Sequence, residues 1–177
     1  MAEFFVRGSG FGHAKESTWG TAVSRTNWVQ IYSCSLQERP EFAFIDHLSN
    51  GAADYADDYQ TRTIVSGDLE TPLLFEGMGL LLEAGMGAVP STTGSGPYVH
   101  TFNRGTSFPG LTAELIRGNS GKSEILSGVV FSNWSLLFES GAVARFNASM
   151  LAKNATASRN TAGTATYADT VTNRAML

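Results

Sequence analysis

The sequence predicts a mainly β domain, antiparallel in its pairing, with one short helix. Three observations predict it. Several separate stretches alternate bulky with small, or apolar with polar, side chains, as pleated strands require. Gly, Pro, Ser and Asn punctuate the gaps between them. Only one stretch carries apolar residues at helical spacing. At 177 residues the chain is long enough for one domain with a real core and short for two.

Residues Trp28 to Leu36 alternate Trp28, Gln30, Tyr32, Cys34 and Leu36 with Val29, Ile31, Ser33 and Ser35, which predicts a strand. After Pro40, the stretch Glu41 to Tyr59 mixes aromatics, acids and alanines with no sustained period. It is expected to be a long loop, with room for a hairpin. Arg62 to Leu74 returns to alternation. Ile64, Ser66, Asp68 and Glu70 share one face there, and Val65, Gly67, Leu69, Thr71 and Leu73 share the other. Met78 to Ala84 places Met78, Leu81 and Leu82 on one helical side and ends near Gly85 and Gly87, which predicts the helix.

Beyond it the pattern is β. Tyr98 to Asn103 and Leu111 to Arg117 read as strands. Val129 to Glu139 and Ala142 to Met150 read as a hairpin about Ser140-Gly141. The last stretch, from Lys153, is rich in Ala, Thr and Asn and holds too few large apolar residues to bury much surface. The expected organisation is an N-terminal lead-in over 1–27, a β domain over 28–152 with the long loop at 39–61, and a polar arm or flexible tail over 153–177.

Composition narrows function. Twelve Lys and Arg against sixteen Asp and Glu give a net charge of −4, which disfavours tight binding to a phosphate backbone. The stretch from Glu38 to Asp58 is acidic, with Arg39 its only formal cation. The first ten residues lack the pattern of a signal peptide, and the most apolar window, Leu73 to Val89, is broken by Glu76, Glu83 and glycines, so no membrane segment is expected. Cys34 is the only cysteine, so no intrachain disulfide can form. His13, His47 and His100 lie far apart, without the spacing of a paired metal site.

No catalytic pattern emerges. There is no Gly-x-Ser-x-Gly elbow. Gly8-Ser9-Gly10-Phe11-Gly12 lacks the preceding apolar strand, the following helix and the Gly-Lys-Ser/Thr pairing of a phosphate loop. Gly121-Lys122-Ser123 leads into a strand and reads as a hairpin turn. Asp54, Asp57 and Asp58 lack the oxygen ladder of a calcium loop. No cofactor or metal is expected, and no enzymatic activity.

Several motifs in order carry a resemblance. Lys15-Glu16-Ser17-Thr18-Trp19-Gly20-Thr21-Ala22-Val23 opens the series, followed by Ser33 to Leu36 and Val65-Ser66-Gly67-Asp68-Leu69-Glu70. Phe75 to Met86, Tyr98-Val99-His100-Thr101-Phe102 and Ser107-Phe108-Pro109-Gly110-Leu111-Thr112 complete it. In this series, which covers roughly 12–150, the chain resembles the major tail tube proteins of long-tailed, siphovirus-like bacteriophages.

The resemblance implies an antiparallel β-sandwich or barrel-like subunit in hexameric rings, stacked into a tube that conducts the genome into the host. It implies other copies of the chain as partners, with tape measure, tail terminator and tip proteins. Double-stranded DNA would pass without specific binding, and no membrane is involved. The place of action would be the virion tail, assembled in the bacterial cytoplasm. Under this reading Phe42, Phe44, Ile45, Leu48, Tyr55 and Tyr59 of the long loop dock on the neighbouring ring, and Asp68 and Glu70 face the lumen. The competing readings are another phage assembly protein, such as a tail terminator or head decoration subunit, and a small β-sandwich binding module.

Overall fold

Two long strands organise the molecule. The computed structural model describes residues 10–46, 55–96, 98–116 and 122–161. In chain order they form β1 (Gly10–Lys15), β2 (Asn27–Val29), β3 (Ser33–Cys34), β4 (Gln37–Asp46) and β5 (Tyr55–Pro72), then the helix α1 (Gly79–Met86). They continue as β6 (Ser91–Thr93), β7 (Val99–Thr101), β8 (Leu111–Ile116), β9 (Lys122–Leu137), β10 (Arg145–Ala152) and β11 (Asn154–Thr161). One sheet runs β2-β1-β8-β9-β10-β5-β3, with β11 also on β9 and β4 also on β5, while β6 and β7 form a separate two-stranded ribbon. Every pairing is antiparallel.

The sheet bends because β9 serves two halves. Its first half pairs with β8 and β11, and its second half with β10. The bend falls at Gly128, where the β8 register slips and φ is +67, a conformation only glycine adopts freely. Lys153, between β10 and β11, donates its backbone N–H to Ser127 at 3.1 Å on the same bend. The two halves then bury their apolar faces together. Phe11, Val29, Leu111, Leu126 and Val129 of one half join Leu36, Val65, Leu69, Phe146 and Met150 of the other, with Met78 at the start of α1 and Leu81 within it. Each such buried side chain stabilises the fold by roughly 1.5–3 kcal/mol. The strand path stays open between β2 and β3, so the subunit is a sandwich and not a closed barrel.

Alternation decides which way each strand faces. In β10, Phe146, Ala148 and Met150 point inward while Arg145, Asn147 and Ser149 point out. The helix begins one residue later than Met78, which caps it, and ends at Gly87, whose φ of +73 lets its N–H reach the Glu83 carbonyl at 2.8 Å. Lys15 pairs with the Glu83 carboxylate at 2.5 Å, and the Trp134 indole N–H donates to the Gly85 carbonyl at 2.9 Å, so both sheet halves grip the helix.

The structure departs from the sequence expectations in four places. Of the stretch 39–61, expected as a long loop with room for a hairpin, the described residues 39–46 and 55–61 are paired strands of a ribbon made by β4 and the first half of β5. Over 37–43 and 59–63 both faces meet solvent, so no apolar row betrays the period of two there. The lead-in 1–27 contains β1, an interior strand between β2 and β8. There Gly12 lacks the side chain that would collide with the Trp28 ring, so small residues disguise a buried strand. The single strand expected over Trp28 to Leu36 divides into β2 and β3, because the chain crosses from β1 in one half to β5 in the other. The polar tail supplies β11, which needs only backbone pairing to β9 and so shows no apolar pattern.

Candidate assembly surfaces

Among the described side chains, a long polar face covers the outer side of β3, β4 as far as Ala43, β5 from Tyr59, β10 and the second half of β9. Directly opposed residues of antiparallel strands share a face. The register therefore groups Asp68 with Ser149 and Asn133, and Glu70 with Ser33, Asn147 and Ser135. It continues onto the ribbon through Gln37 opposite Ser66, Arg39 opposite Ile64 and Glu41 opposite Arg62. Asp68 and Glu70, the acids singled out in the sequence, thus lie together, but neither stands alone. Ser149 Oγ donates to Asp68 Oδ1 at 2.7 Å. The Arg145 guanidinium donates to Glu70 Oε1 at 2.7 Å and lies 5.2 Å from the centre of the Tyr32 ring. On the ribbon, Arg62 Nε donates to Glu41 Oε2 at 2.6 Å. These hydrogen bonds and charges raise the pKa of both arginines, which stay cationic.

The ribbon is the second surface. β10 pairs with β5 only over Val65 to Pro72, so residues 55–64 pair with β4 alone. Phe42 is 49% exposed and Tyr59 is 65% exposed. Phe44 and Ile45 lie further along β4, opposite Asp58 and Asp57, and Tyr55 lies opposite Asp46. Leu48 falls outside the described residues. The ribbon therefore brings five of the six apolar residues predicted for docking onto one hairpin.

A third surface is apolar. A groove runs between α1 and the β6–β7 ribbon, lined by Leu74, Phe75, Leu82, Tyr98, Phe102 and Leu136. Phe75 and Tyr98 are exposed on it.

The first resemblance motif turns out to be architectural. Residues 16–26 strap the second face of β1 and β8, and Glu16 ties the strap down. Its carboxylate accepts the Gly20 N–H at 2.6 Å, the Thr112 hydroxyl at 2.9 Å and the Gly128 N–H at 2.8 Å, joining the strap, β8 and the bend of β9. Further along, Arg25 forms an ion pair with the buried Glu114, which also accepts the Ser123 hydroxyl at 2.5 Å. Trp19, on the strap itself, lies exposed with Lys153 Nζ 4.7 Å from its ring centre.

Sequence reasoning missed Glu16, Arg25, Glu114 and Arg145 as a working polar set. Arg145 had a signal, because it alternates with buried Phe146 on the face that also carries Asn147 and Ser149. The others had no such signal, since Glu16 reaches Thr112 and Gly128, 96 and 112 residues on, and Arg25 meets Glu114 only because the irregular strap lies over β8. His13 was likewise unremarkable in sequence. It is fully buried and stacks on Phe11 with ring centres 5.8 Å apart, and neither ring nitrogen makes a hydrogen bond of full geometry. Burial pushes its pKa down from 6.5 to about 4, partly offset by the Gly77 backbone. Cys34 is half-buried in β3. Among the described residues no group of three or more His, Cys, Asp or Glu side chains is placed to hold a metal, and no helix is long and apolar enough to cross a membrane.

No curated protein matches the chain. Among solved structures, one described as that of a type six secretion system protein is 10% identical, covers 82% of this chain and 80% of its own, and superposes with a TM-score of 0.40, too distant to bear on function. The family described as phage tail tube protein matches residues 7–176, nearly the whole length. The chain belongs to the phage tail tube protein family and is a structural component of the virion tail.

Proposed function

We propose that the chain is the repeating subunit of a hollow tube in a long-tailed phage. Hexameric rings stack, and double-stranded DNA passes through them into the host without being specifically bound. The observation that carries this reading is the β4–β5 ribbon, half of which extends past the strand that covers the rest of β5. A two-stranded ribbon is marginal by itself in water. One that displays Phe42 and Tyr59 to solvent gains most when another copy covers it. In the proposed tube, Phe42, Phe44, Ile45, Leu48, Tyr55 and Tyr59 dock on the adjacent ring. Open sheet edges at β2 and β4 close against neighbouring copies, the usual remedy for unpaired strand edges.

The polar face with Asp68 and Glu70 is the wall of the lumen in this arrangement. Its Asn and Ser rows suit a surface that stays wet and grips nothing. A tape measure protein would occupy the lumen before the genome does, and terminator and tip proteins would close the ends, with assembly in the host cytoplasm. Negative-stain microscopy of the purified protein tests the reading. Long hollow tubes are expected. Isolated rings would favour a tail terminator, and monomers at high concentration would contradict assembly altogether.

A further inference from the structure

Among the described side chains of the polar face six are charged, and these six balance. Register places Arg39, Arg62 and Arg145 on it together with Glu41, Asp68 and Glu70. These six sum to zero, although the chain as a whole carries −4. Two of the three arginines sit in direct ion pairs, Arg145 with Glu70 at 2.7 Å and Arg62 with Glu41 at 2.6 Å. A free carboxylate at Glu70 would repel phosphate. Its geometry gives it another task.

We propose that Glu70 and Glu41 are masks, holding the Arg145 and Arg62 guanidinium groups electrically silent toward a nucleic acid that slides over this face. The inference rests on the reading of the face as the lumen wall. An unpaired guanidinium attracts phosphate oxygens strongly and bidentately, and one in every copy around a ring would hold a duplex back. Opposite charges less than 3 Å apart present only a dipole to a phosphate across a hydrated gap, and salt extinguishes that field within about 8 Å. Asp68, held by the Ser149 hydroxyl, remains as the acid without a guanidinium bonded to it. The arginines themselves contribute stem packing and, for Arg145, a seat on Tyr32.

The test uses assembled tubes and a short fluorescent DNA duplex, with duplex retention read by co-sedimentation. Wild-type tubes should retain almost none. Glu70→Gln tubes should retain about tenfold more or greater at low salt, falling as salt rises. Glu70→Gln combined with Arg145→Gln should return to the wild-type level, and Arg145→Gln alone should retain none. Glu41→Gln carries the same prediction through Arg62 should Glu70→Gln fail to assemble. Retention by Glu70→Gln no greater than wild type, or retention that persists in the double variant, overturns the masking.

A separate label tests the lumen reading. In a Cys34→Ser background, Asn147→Cys in intact tubes should react with a small maleimide and resist a large polyethylene-glycol maleimide. Ready reaction with the large reagent places the face outside the tube and overturns the reading on which the masking rests.

Discussion

The half-sheet around β8 and the β4–β5 ribbon are both antiparallel and both rich in charge, yet water meets them differently. Every residue of β8 is buried, because the core lies under one face and the strap of residues 16–26 covers the other. Its charges are consequently tied to fixed partners, Glu114 to Arg25 and Ser123. On the ribbon, residues 59–63 and 37–43 are exposed throughout, and the Arg62–Glu41 pair stands in solvent. The first region holds the subunit together. The second is the region proposed to meet a neighbour, and substitutions should separate the two roles.

Phe146→Ala should have the largest effect, since the ring is fully buried between Phe131 and Trp134 at the meeting of the halves. A loss of about 3–5 kcal/mol is expected by chemical denaturation of the dissociated subunit. His13, on β1 in the half around β8, should set an acid limit. Its folded pKa of about 4 lies below the unfolded 6.5, so both states are neutral above pH 6.5 and the residue then costs nothing through ionisation. As pH falls from 6.5 to 4 the unfolded chain takes up a proton that the fold refuses, and stability drops by about 3 kcal/mol before levelling off. A His13→Leu variant should lose that much less stability than the wild type across the same range in parallel denaturation curves. Equal slopes would show that His13 is not protected.

Glu16→Ala should come next, at about 2–3 kcal/mol, because the Gly20 and Gly128 amides and the Thr112 hydroxyl lose a shared acceptor in a buried place. Hydrogen exchange should quicken along the strap before the core opens. Phe42→Ala, on the ribbon, should change subunit stability by less than about 0.5 kcal/mol while raising the concentration needed for tubes to form. A large stability loss there would mean that the ribbon belongs to the subunit's own fold and not to its contacts.

How much could be read in advance followed the same division. Strands with one buried face, such as β10 and the second half of β5, showed Phe146, Ala148 and Met150 or Val65, Leu69 and Thr71 at every second position. The helix showed because Leu81 and Met78 share a side and Gly87 stops the chain. β1 did not show, because Gly12 must be small against Trp28 and His13 is polar yet buried. The ribbon did not show over 37–43 and 59–63, because strand stretches with two exposed faces have no reason to alternate. Asp68 and Glu70 were legible as face-mates, whereas their partners were not. Arg145 and Ser149 come from a strand more than seventy residues later, and only the register brings them opposite.

The central claim is that the β4–β5 hairpin is an arm between copies of a tube subunit. Deleting Ser49 to Asp57 and viewing the product beside the intact protein by negative-stain microscopy tests it most directly. The intact chain should give hollow tubes, and the shortened chain should give cooperatively folding subunits or single rings that never stack. Normal tubes from the shortened chain would contradict it.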